Sequence, residues 1–315
     1  MFAVRTSLMA LLLLAACDGN PFSPVPGGGG GGTPGLAVPA EVSRDLRSIT
    51  YSPNKGGQLS VDLNGLVASG GSATFVRDAS LDVGNYQAFK YQETGLQRSY
   101  LAYVAKNKRG DLLVTAVSDG GQFNAHYGGA TFARISVYQA PTVRDGVETG
   151  QFSYAGDYAG VLTVGDATSA TLAPGLTPNG AYHVEGDTLI NANFANSLVN
   201  GGVDNRFVLD NAGNRVDVNA DGNVDSNDML PAIALLPSAI NSSGAFTGDV
   251  QIFGPPDTPG SKIGTYAGLF GGIGATDVAG VLVFNPLTGA SPEEFGVFNL
   301  PRCDTAGASP LCVPR

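Results

Sequence analysis

Apolar and polar residues alternate with a period of two in many short runs along this chain. In the first clear run, the apolar residues Leu59, Val61 and Leu63 alternate with Ser60 and Asp62, which is the pattern of a strand with one buried face. Clusters of Gly, Asn, Asp and Pro separate the runs, and no sustained apolar stripe of period 3.6 follows the N-terminal segment. The pattern therefore predicts an all-β protein with many turns.

The predicted strands fall into two groups. An N-terminal β-rich region at 41–147 holds strands at 59–63, 73–77, 86–92, 100–106 and 112–117. The region at 148–315 holds candidate strands at 152–164, 181–185, 187–194, 198–203, 206–209, 232–236, 245–252, 264–270, 278–284 and 294–300. About eight of these suffice to close a small antiparallel β-barrel filled by its own side chains. Closure would remove exposed sheet edges, so we expect an eight-stranded barrel in the second region.

The first 16 residues have the pattern of a secretory signal peptide, with a positive charge at Arg5 and an apolar stretch at 8–16. The segment ends in LAAC at 14–17, which resembles the bacterial lipobox. That resemblance implies that Cys17 carries a diacylglyceryl group and an N-acyl (palmitate) chain. At about 0.8 kcal/mol per buried CH₂, several acyl chains would anchor the protein stably to a membrane. The alternative is an ordinary signal peptide with an incidental cysteine.

Residues 17–40 form the predicted linker, with prolines at 21, 24, 26 and 34 around a glycine run at 27–32. Such a composition cannot bury a core, so we expect this tether to be disordered. The glycine run lacks the Gly-Lys-Ser/Thr that a phosphate-binding loop requires. A lipidated cysteine and a tether together predict a place in the bacterial cell envelope, and we expect the outer membrane.

Composition narrows the function classes. Glycine is abundant, at 45 of 315 residues, and the net charge of −10 disfavours nucleic-acid binding because an acidic surface repels phosphates. The only histidines are His126 and His183, and neither a Gly-x-Ser-x-Gly elbow nor a His-Glu-x-x-His motif occurs. We therefore predict that the protein is not an enzyme and that His183 is a solvated strand residue. We also expect a monomer.

Three cysteines are present. If Cys17 is acylated, Cys303 and Cys312 remain, close together near the C-terminus and in an oxidising compartment. We predict a disulfide between them that pins the tail after the last strand. The alternative is two free thiols.

An acidic stretch at 217–228, DVNADGNVDSND, has the spacing of a twelve-residue calcium loop. Ca²⁺ requires hard oxygen ligands, and a glycine at position 6, here Gly222, allows the sharp turn. The predicted ligands of a structural Ca²⁺ ion are Asp217, Asn219, Asp221, Asn223 (through its backbone carbonyl), Asp225 and Asp228. An Asp/Asn-rich loop that holds no metal is the alternative.

This loop resembles the dockerin type more than the calmodulin type, because Asp228 stands at position 12 and Val224 at position 8. Dockerins carry two such repeats and a long exit helix. Here a single repeat is followed by Pro231 and Pro237, so the sequence does not favour cohesin binding.

The stretch at 264–284 predicts two strands joined by a glycine-rich turn. A generic hairpin is one interpretation. The stretch also resembles the terminal hairpin of the β-barrel in transferrin-binding protein B and related bacterial surface lipoproteins. The matching positions are Gly268, Leu269, Phe270, Gly271, Gly272, Ala275, Asp277 and Gly280, with Asp277 where the family usually has Glu. The segment at 154–160 echoes 266–271, as two strands of one barrel would.

A second stretch, 119–129, is similar to the segment that precedes the barrel in alphaproteobacterial transferrin-binding-protein-like lipoproteins. The resemblance implies a handle-like domain at 41–147 before the barrel. It also implies a binding module for a protein or solute ligand. A structural or scaffold lipoprotein with a calcium-stabilised loop and no small-molecule ligand is the alternative.

Overall fold

A computed structural model describes residues 37–53, 57–66, 72–92, 94–95, 98–122, 125–142, 150–165, 172–253, 260–286 and 292–312. The predicted signal peptide, Cys17 and most of the linker therefore lie outside the described residues. None of the described helices combines the length and hydrophobicity that crossing a membrane requires.

The first body is a seven-stranded antiparallel sheet in which each strand pairs with the next along the chain. A short helix, α1 (Ala40–Ser43), precedes it. Its strands are β1 (Leu46–Ser52), β2 (Gln58–Leu63), β3 (Ala73–Arg77), β4 (Gln87–Tyr91), β5 (Tyr100–Lys106), β6 (Leu112–Asp119) and β7 (Gly128–Arg134). The sheet curls until its ends meet, since the Asp45 N–H donates to the Gly128 carbonyl (3.0 Å).

The second body is a closed barrel of eight antiparallel strands. Its strands are β8 (Gln151–Val164), β9 (Ala181–Asn193), β10 (Leu198–Leu209), β11 (Ile233–Ala239), β12 (Ala245–Ile252), β13 (Lys262–Gly271), β14 (Asp277–Phe284) and β15 (Pro292–Pro301). Pairing of β15 with β8 closes the ring. The predicted fold class, a β-rich region followed by an eight-stranded antiparallel barrel, is confirmed.

The number of barrel strands differs from the ten candidates in the sequence. Candidates 181–185 and 187–194 are one strand, and so are 198–203 and 206–209. The second pair is joined by a bulge at Asp204–Phe207, where Asn205 has a positive φ of 49°. Strands β1 and β7 were not predicted; β7 is buried along almost its whole length, so apolar and polar residues do not alternate there.

Aromatic rings fill the barrel lumen, and glycines on adjacent strands make room for them. A Cβ added at Gly296 would overlap Tyr158, one at Gly280 would overlap Phe298, and one at Gly268 would overlap Phe246. Side chains in a folded interior are already packed at crystal-like density, so these positions have no space for an extra methyl group. The lumen is therefore a packed core, and part of the high glycine content serves this packing.

The same lumen holds an ion pair. Arg206 and Glu294 are fully buried and form a charge-assisted contact through Nη2 and Oε2. Tyr158 Oη donates to Glu294 Oε1 (2.7 Å), and Arg206 Nη1 donates to the Pro231 carbonyl (2.7 Å). The pair ties β10 to β15 across the barrel.

The first sheet covers one side of the barrel. Apolar residues on the outer surface of β8, β13, β14 and β15 pack against β5, β6 and β7. The barrel contributes Val161, Leu269, Val281, Phe295 and Val297, and the sheet contributes Leu101, Tyr103, Leu112, Val114 and Phe132, among others. These side chains form a continuous apolar interface between the two bodies. Burial of each large apolar side chain contributes about 1.5–3 kcal/mol to the free energy of folding.

We expect Gly296→Ala to destabilise the barrel by about 1–3 kcal/mol, because overpacking forces neighbouring side chains off their positions. The added methyl group would displace Tyr158, which also hydrogen-bonds Glu294. Equilibrium urea unfolding measures the loss. Gly95→Ala is the matched control, since a Cβ there meets no atom within 4 Å, and its effect should stay within about 0.5 kcal/mol. Equal effects of the two substitutions would contradict the packing account.

Candidate functional site

A depression of about 530 Å³ lies on the side of the barrel that the first sheet leaves uncovered. It is formed by the outer surface of β8–β11, with Gly202 on β10 and Ala234 on β11 in its lining. Three large apolar side chains line it and remain exposed, Leu189 at 45%, Phe253 at 72% and Leu311 at 42%. Exposed apolar side chains gathered in one concavity are typical of binding surfaces.

A row of three aspartates crosses the same surface. Asp157 on β8 is the cross-strand neighbour of Asp187 on β9, and Asp187 is the neighbour of Asp204 on β10. Asp187 accepts a hydrogen bond from the Asn205 side chain (2.8 Å), but none of the three aspartates forms an ion pair with a described basic residue. Like charges directly opposite one another on a sheet are destabilising. We call this group, with the depression beside it, the acidic apolar face.

Negative charge on this face affects the pKa of Asp157. The pKa of Asp157 is raised, first by desolvation and then by the negative charges of Asp187 and Glu185. Glu185 is neutralised by Arg215 (2.9 Å), whereas no Lys or Arg lines the depression. The face therefore offers apolar contact beside uncompensated negative charge.

The predicted disulfide between Cys303 and Cys312 is present, with their Cα atoms 5.3 Å apart. The Cys303 N–H donates to the Ser153 carbonyl on β8 (2.8 Å), which fixes the start of the C-terminal loop to the barrel. The bond thereby holds Leu311, the residue before Cys312, at the edge of the depression. The disulfide contributes to the candidate site as well as to the tail.

The predicted calcium loop lies between β10 and β11 and is folded by hydrogen bonds from its own backbone. The Gly222 N–H donates to Asp217 Oδ2 (2.7 Å), and the Asp221 N–H donates to Asn219 Oδ1 (2.8 Å). The Asn223 N–H donates to Asp221 Oδ1 (2.9 Å). These bonds fold the loop tightly from residue 217 to residue 223.

The second half of the loop is organised around Asp228, which is buried. Its carboxylate accepts the N–H groups of Asp225 (2.9 Å) and Asn219 (3.2 Å), and Asp225 Oδ1 accepts the Asn227 N–H (2.7 Å). The bond from the Asp225 N–H is the main reason why the pKa of Asp228 is lowered, and the bond from the Asn219 N–H adds to it. The Asp217 side chain lies beside the same carboxylate. The structure thus brings Asp217 and Asp228 together at the base of the loop.

The six predicted ligands fit Ca²⁺ in their chemistry, because each carboxylate or amide oxygen keeps a lone pair after accepting one N–H. Their arrangement is incomplete: in the described part of the chain, no three His, Cys, Asp or Glu side chains converge as a metal group. Asn219, Asp221 and Asp225 direct oxygens at backbone N–H groups instead. Calcium binding by this loop stays a prediction.

The two histidines occupy different parts of the contact between the sheet and the barrel. His183 was predicted to be solvated, but it is buried under the Tyr103 ring, with ring centroids 5.1 Å apart, and neither ring nitrogen has a hydrogen-bond partner. The prediction was wrong because this outward position of β9 is covered by the first sheet. His126 Nε2 lies 3.1 Å from Glu293 Oε2 on β15, and Arg44 contacts the other oxygen.

Sequence reasoning missed the acidic apolar face. Leu189 precedes Ile190 in the sequence, and two adjacent aliphatic residues in a strand suggest that both are buried. Only the closed barrel shows that Leu189 points outward. The aspartate row depends on cross-strand register between residues that are 30 positions apart, Asp157 and Asp187, and 17 positions apart, Asp187 and Asp204. A single strand carries no signal for it.

No protein-family model matches the chain, and no curated protein matches it. It is similar to a solved double mutant of transferrin-binding protein B from Haemophilus parasuis Hp5, with 10% identity and a TM-score of 0.38, over 73% of this chain and 39% of that one. For transferrin-binding protein B from Actinobacillus pleuropneumoniae H49, identity is 13%, the TM-score 0.36, and the coverage 63% and 80%. A structure described as a surface lipoprotein has 14% identity and a TM-score of 0.34, over 84% of this chain and all of that one.

The chain thus spans well under half the length of the first of these proteins. The hairpin at 264–284 was predicted to resemble transferrin-binding protein B and related surface lipoproteins, and these structures belong to that class of protein. The barrel itself rests on the hydrogen-bonded register of its strands, which closes between β15 and β8.

Proposed function

We propose that this protein is a bacterial envelope lipoprotein, anchored through Cys17, whose barrel binds a protein partner on the acidic apolar face. The lipobox-like LAAC at 14–17 supports the anchor. The observation that carries the binding proposal is the exposed depression lined by Leu189, Phe253 and Leu311. Beside it lie three aspartates that form no ion pair with a described basic residue. Repulsion along the aspartate row costs folding free energy, and a basic partner would offset that cost.

The chemistry of the face defines the partner. Binding hot spots are commonly large side chains seated in pockets and surrounded by polar contacts. A partner that places an apolar side chain against Phe253 and Lys or Arg side chains against Asp187 and Asp204 would match both features. Charge complementarity of this kind mainly accelerates association, and its effect weakens with salt.

Site-specific photocrosslinking in cells tests this proposal on the full-length chain. A photoreactive residue at position 253 or 189 should give a discrete adduct with another envelope protein. The matched control is position 76, because Val76 is similarly exposed, at 63%, on the first sheet. No adduct at 253 and 189, or the same adducts at all three positions, would overturn the proposal and favour the scaffold alternative.

Neutralising the aspartates separates binding from stability. Asp187→Asn combined with Asp204→Asn should weaken the adduct at position 253 while leaving the free energy of unfolding unchanged or higher, since like-charge repulsion is relieved. Asp249→Asn is the control, because it removes the same kind of charge from an exposed ion pair with Lys262 (2.7 Å) elsewhere on the barrel. A loss of adduct in the control as well would mean that net charge alone is responsible.

The anchor has its own test. Mass spectrometry of the mature N-terminus should find Cys17 as the first residue, carrying diacylglyceryl and N-acyl groups. Cys17→Ser should release the protein from the membrane fraction or leave it unprocessed. An unmodified N-terminus, or cleavage elsewhere, would refute lipidation.

We also propose that the loop at 217–228 binds a structural Ca²⁺ ion. Four carboxylates in one short loop repel one another without a cation, and the folded loop already brings Asp217 and Asp228 together. A ligand that binds only the native state stabilises it by RT ln(1 + [L]/Kd), about 2.7 kcal/mol at a hundredfold excess over Kd. The barrel itself should still fold without the ion.

Millimolar Ca²⁺ should therefore raise the melting temperature, and Asp217→Ala should abolish the rise. Mg²⁺ should substitute poorly, because it demands a tight octahedral geometry. Asp249→Ala, outside the loop, should leave the response to Ca²⁺ intact. A melting temperature that responds neither to Ca²⁺ nor to a chelator would mean that the loop is a polar loop without metal.

A further inference from the structure

A second cavity, of about 520 Å³, opens where the first sheet meets the end of the barrel. Its walls come from the β4–β5 and β6–β7 connections of the sheet and from the β8–β9 and β10–β11 connections of the barrel. The lining residues used most below are Arg98, Gln122, Asn179, Tyr182 and Asn211. The volume lies within the range of small-molecule sites, about 300–1,000 Å³.

A buried ion pair supports the sheet side of this cavity. The side chains of Arg98 and Asp119 are only 13% and 0% exposed, and Arg98 Nη1 donates to Asp119 Oδ2. The same guanidinium donates to the carbonyls of Ala125 and Gln122, at 2.9 Å each, and lies 4.9 Å from the centroid of the Tyr127 ring. These contacts fix the loop that carries Gln122, and a wall that is fixed in advance lowers the entropy cost of binding.

The barrel side is formed by the loop that leads into β9, and this loop is packed as closely. A Cβ added at Gly120 would lie only 2.5 Å from the Asn179 carbonyl oxygen, so the loops of the sheet and the barrel touch. A Cβ at Gly180 would lie 2.5 Å from the Tyr182 ring, whose hydroxyl accepts the Thr177 N–H (2.9 Å). The positions of Asn179 and the Tyr182 ring are therefore set by contacts within the protein.

The backbone N–H groups of both walls are already used. Those of Gly120, Gln122, Asn179 and Gly180 donate to the carbonyls of Ser99, Ala125, Gly165 and Thr177, at 2.8–3.2 Å. A peptide that binds as an added strand needs a row of unused backbone donors and acceptors. Recognition in this cavity must therefore come from side chains.

Three of those side chains are carboxamides with hydrogen-bonding capacity left. Gln122, Asn179 and Asn211 come from three different segments, and in the described part of the chain none of their amide groups has a hydrogen-bond partner. Each amide can both donate and accept. Arg98 is the one charged residue among the described residues of the lining, and Asp119 neutralises it. The wall is thus neutral and rich in donors and acceptors.

We propose that this cavity binds a neutral carbohydrate. A sugar hydroxyl donates and accepts, as a carboxamide does, so its hydroxyls can replace the water that hydrates these amides without loss of hydrogen bonds. The half-buried Tyr182 ring provides an apolar surface in the same cavity, against which the C–H groups of a sugar ring can pack. An ion would find no partner charge here, and an apolar ligand would leave the amides unpaired.

Titration calorimetry and thermal melting of the full-length protein test the proposal, with maltose, lactose and N,N′-diacetylchitobiose as probes. At least one of these disaccharides should bind and raise the melting temperature, because a ligand of the native state stabilises it. Citrate and trialanine, an anion and a peptide, should do neither. Failure of all three sugars to bind, or binding of citrate or trialanine, would overturn the proposal.

Asn179→Gly combined with Gln122→Ala is the decisive variant. Asn179 has a positive φ of 59°, which glycine adopts without strain, and Gln122 contacts Arg98 through its backbone carbonyl, which the substitution keeps. The variant should bind the sugar at least tenfold more weakly and melt at the temperature of the parent.

Asn196→Ala is the control, because it removes an exposed carboxamide from the β9–β10 turn, outside the cavity, and it should bind normally. Undiminished sugar binding by the double variant, or an equal loss in the control, would also overturn the assignment.

This site shares no residue with the acidic apolar face, so the two proposals fail separately. Loss of sugar binding would leave the photocrosslinks at positions 253 and 189 unaffected.

Discussion

Arg206→Met is expected to destabilise the protein by about 3–5 kcal/mol, the typical cost of removing one partner from a buried ion pair. Both Arg206 and Glu294 are fully buried in the lumen, and the guanidinium also lies 5.0 Å from the centroid of the Phe284 ring. Without Arg206, the Glu294 carboxylate keeps only the Tyr158 hydroxyl as a described partner and must take up a proton or remain charged in an apolar core. Urea unfolding at neutral pH measures the loss.

The double variant Arg206→Met with Glu294→Leu should recover most of the lost stability, because neither charge is then left buried alone. Lys262→Met removes a cation from an exposed pair and should change stability by no more than about 0.5 kcal/mol. If Arg206→Met cost no more than Lys262→Met, the pair would not be a structural element of the barrel.

The second large effect is expected in acid and comes from His183. Burial lowers the pKa of His183 from 6.5 to about 4, with smaller influences from Asp78 and Lys90. Above pH 6.5 both the folded and the unfolded state hold a neutral ring. Between pH 6.5 and about 4 the unfolded state binds the proton first, so stability falls by about 1.4 kcal/mol per pH unit. Between pH 6.5 and 5, His183 should therefore account for a loss of about 2 kcal/mol.

His183→Leu removes this loss, and the measured quantity is the difference between its unfolding free energy and that of the parent from pH 7 to pH 5. Other titrating groups are common to both proteins and cancel in that difference. Parallel curves for the two proteins would show that His183 is not buried as a neutral ring.

His126 acts in the opposite direction and provides the control. Its pKa is raised, first by the hydrogen bond with Glu293, with Asp119 contributing and Arg44 opposing. Its contribution to stability is complete below the unfolded-state pKa and is lost as pH rises through the folded-state value. The window of His126 therefore lies above pH 6.5. His126→Gln should remove the gain in stability that the parent makes as pH falls from the folded-state pKa to 6.5, and it should leave the slope between pH 6.5 and 5 unchanged, whereas His183→Leu makes that slope shallower.

The strands whose side chains alternate between core and solvent were predictable from the sequence. The prediction at 245–252 coincides with β12, where Phe246 and Val250 point inward and Thr247 outward. Gly186 was interpreted as a break between two strands, but β9 runs through it. A Cβ at Gly186 would lie 2.9 Å from Cγ of Arg206, so the glycine makes room for a side chain of the next strand. Propensity alone cannot distinguish a glycine that ends a strand from one that yields space.

The candidate sites were less predictable, because each depends on contacts between distant segments. The disulfide followed from counting cysteines, and the loop at 217–228 followed from local spacing. The exposure of Leu189 depends on which half of the barrel the first sheet covers.

The filled lumen has a kinetic consequence. Rings of Tyr158, Tyr266, Phe270 and Phe298 occupy the space that a ligand-carrying barrel would leave open, and the lumen is packed shut throughout the described strands. The binding proposed for the outer face would therefore require no opening of the barrel. Association of the proposed partner with the outer face should proceed at the diffusional encounter rate set by its charge. The lifetime of that complex should depend on the contacts of Leu189, Phe253 and Leu311 and on the pairing with Asp187 and Asp204.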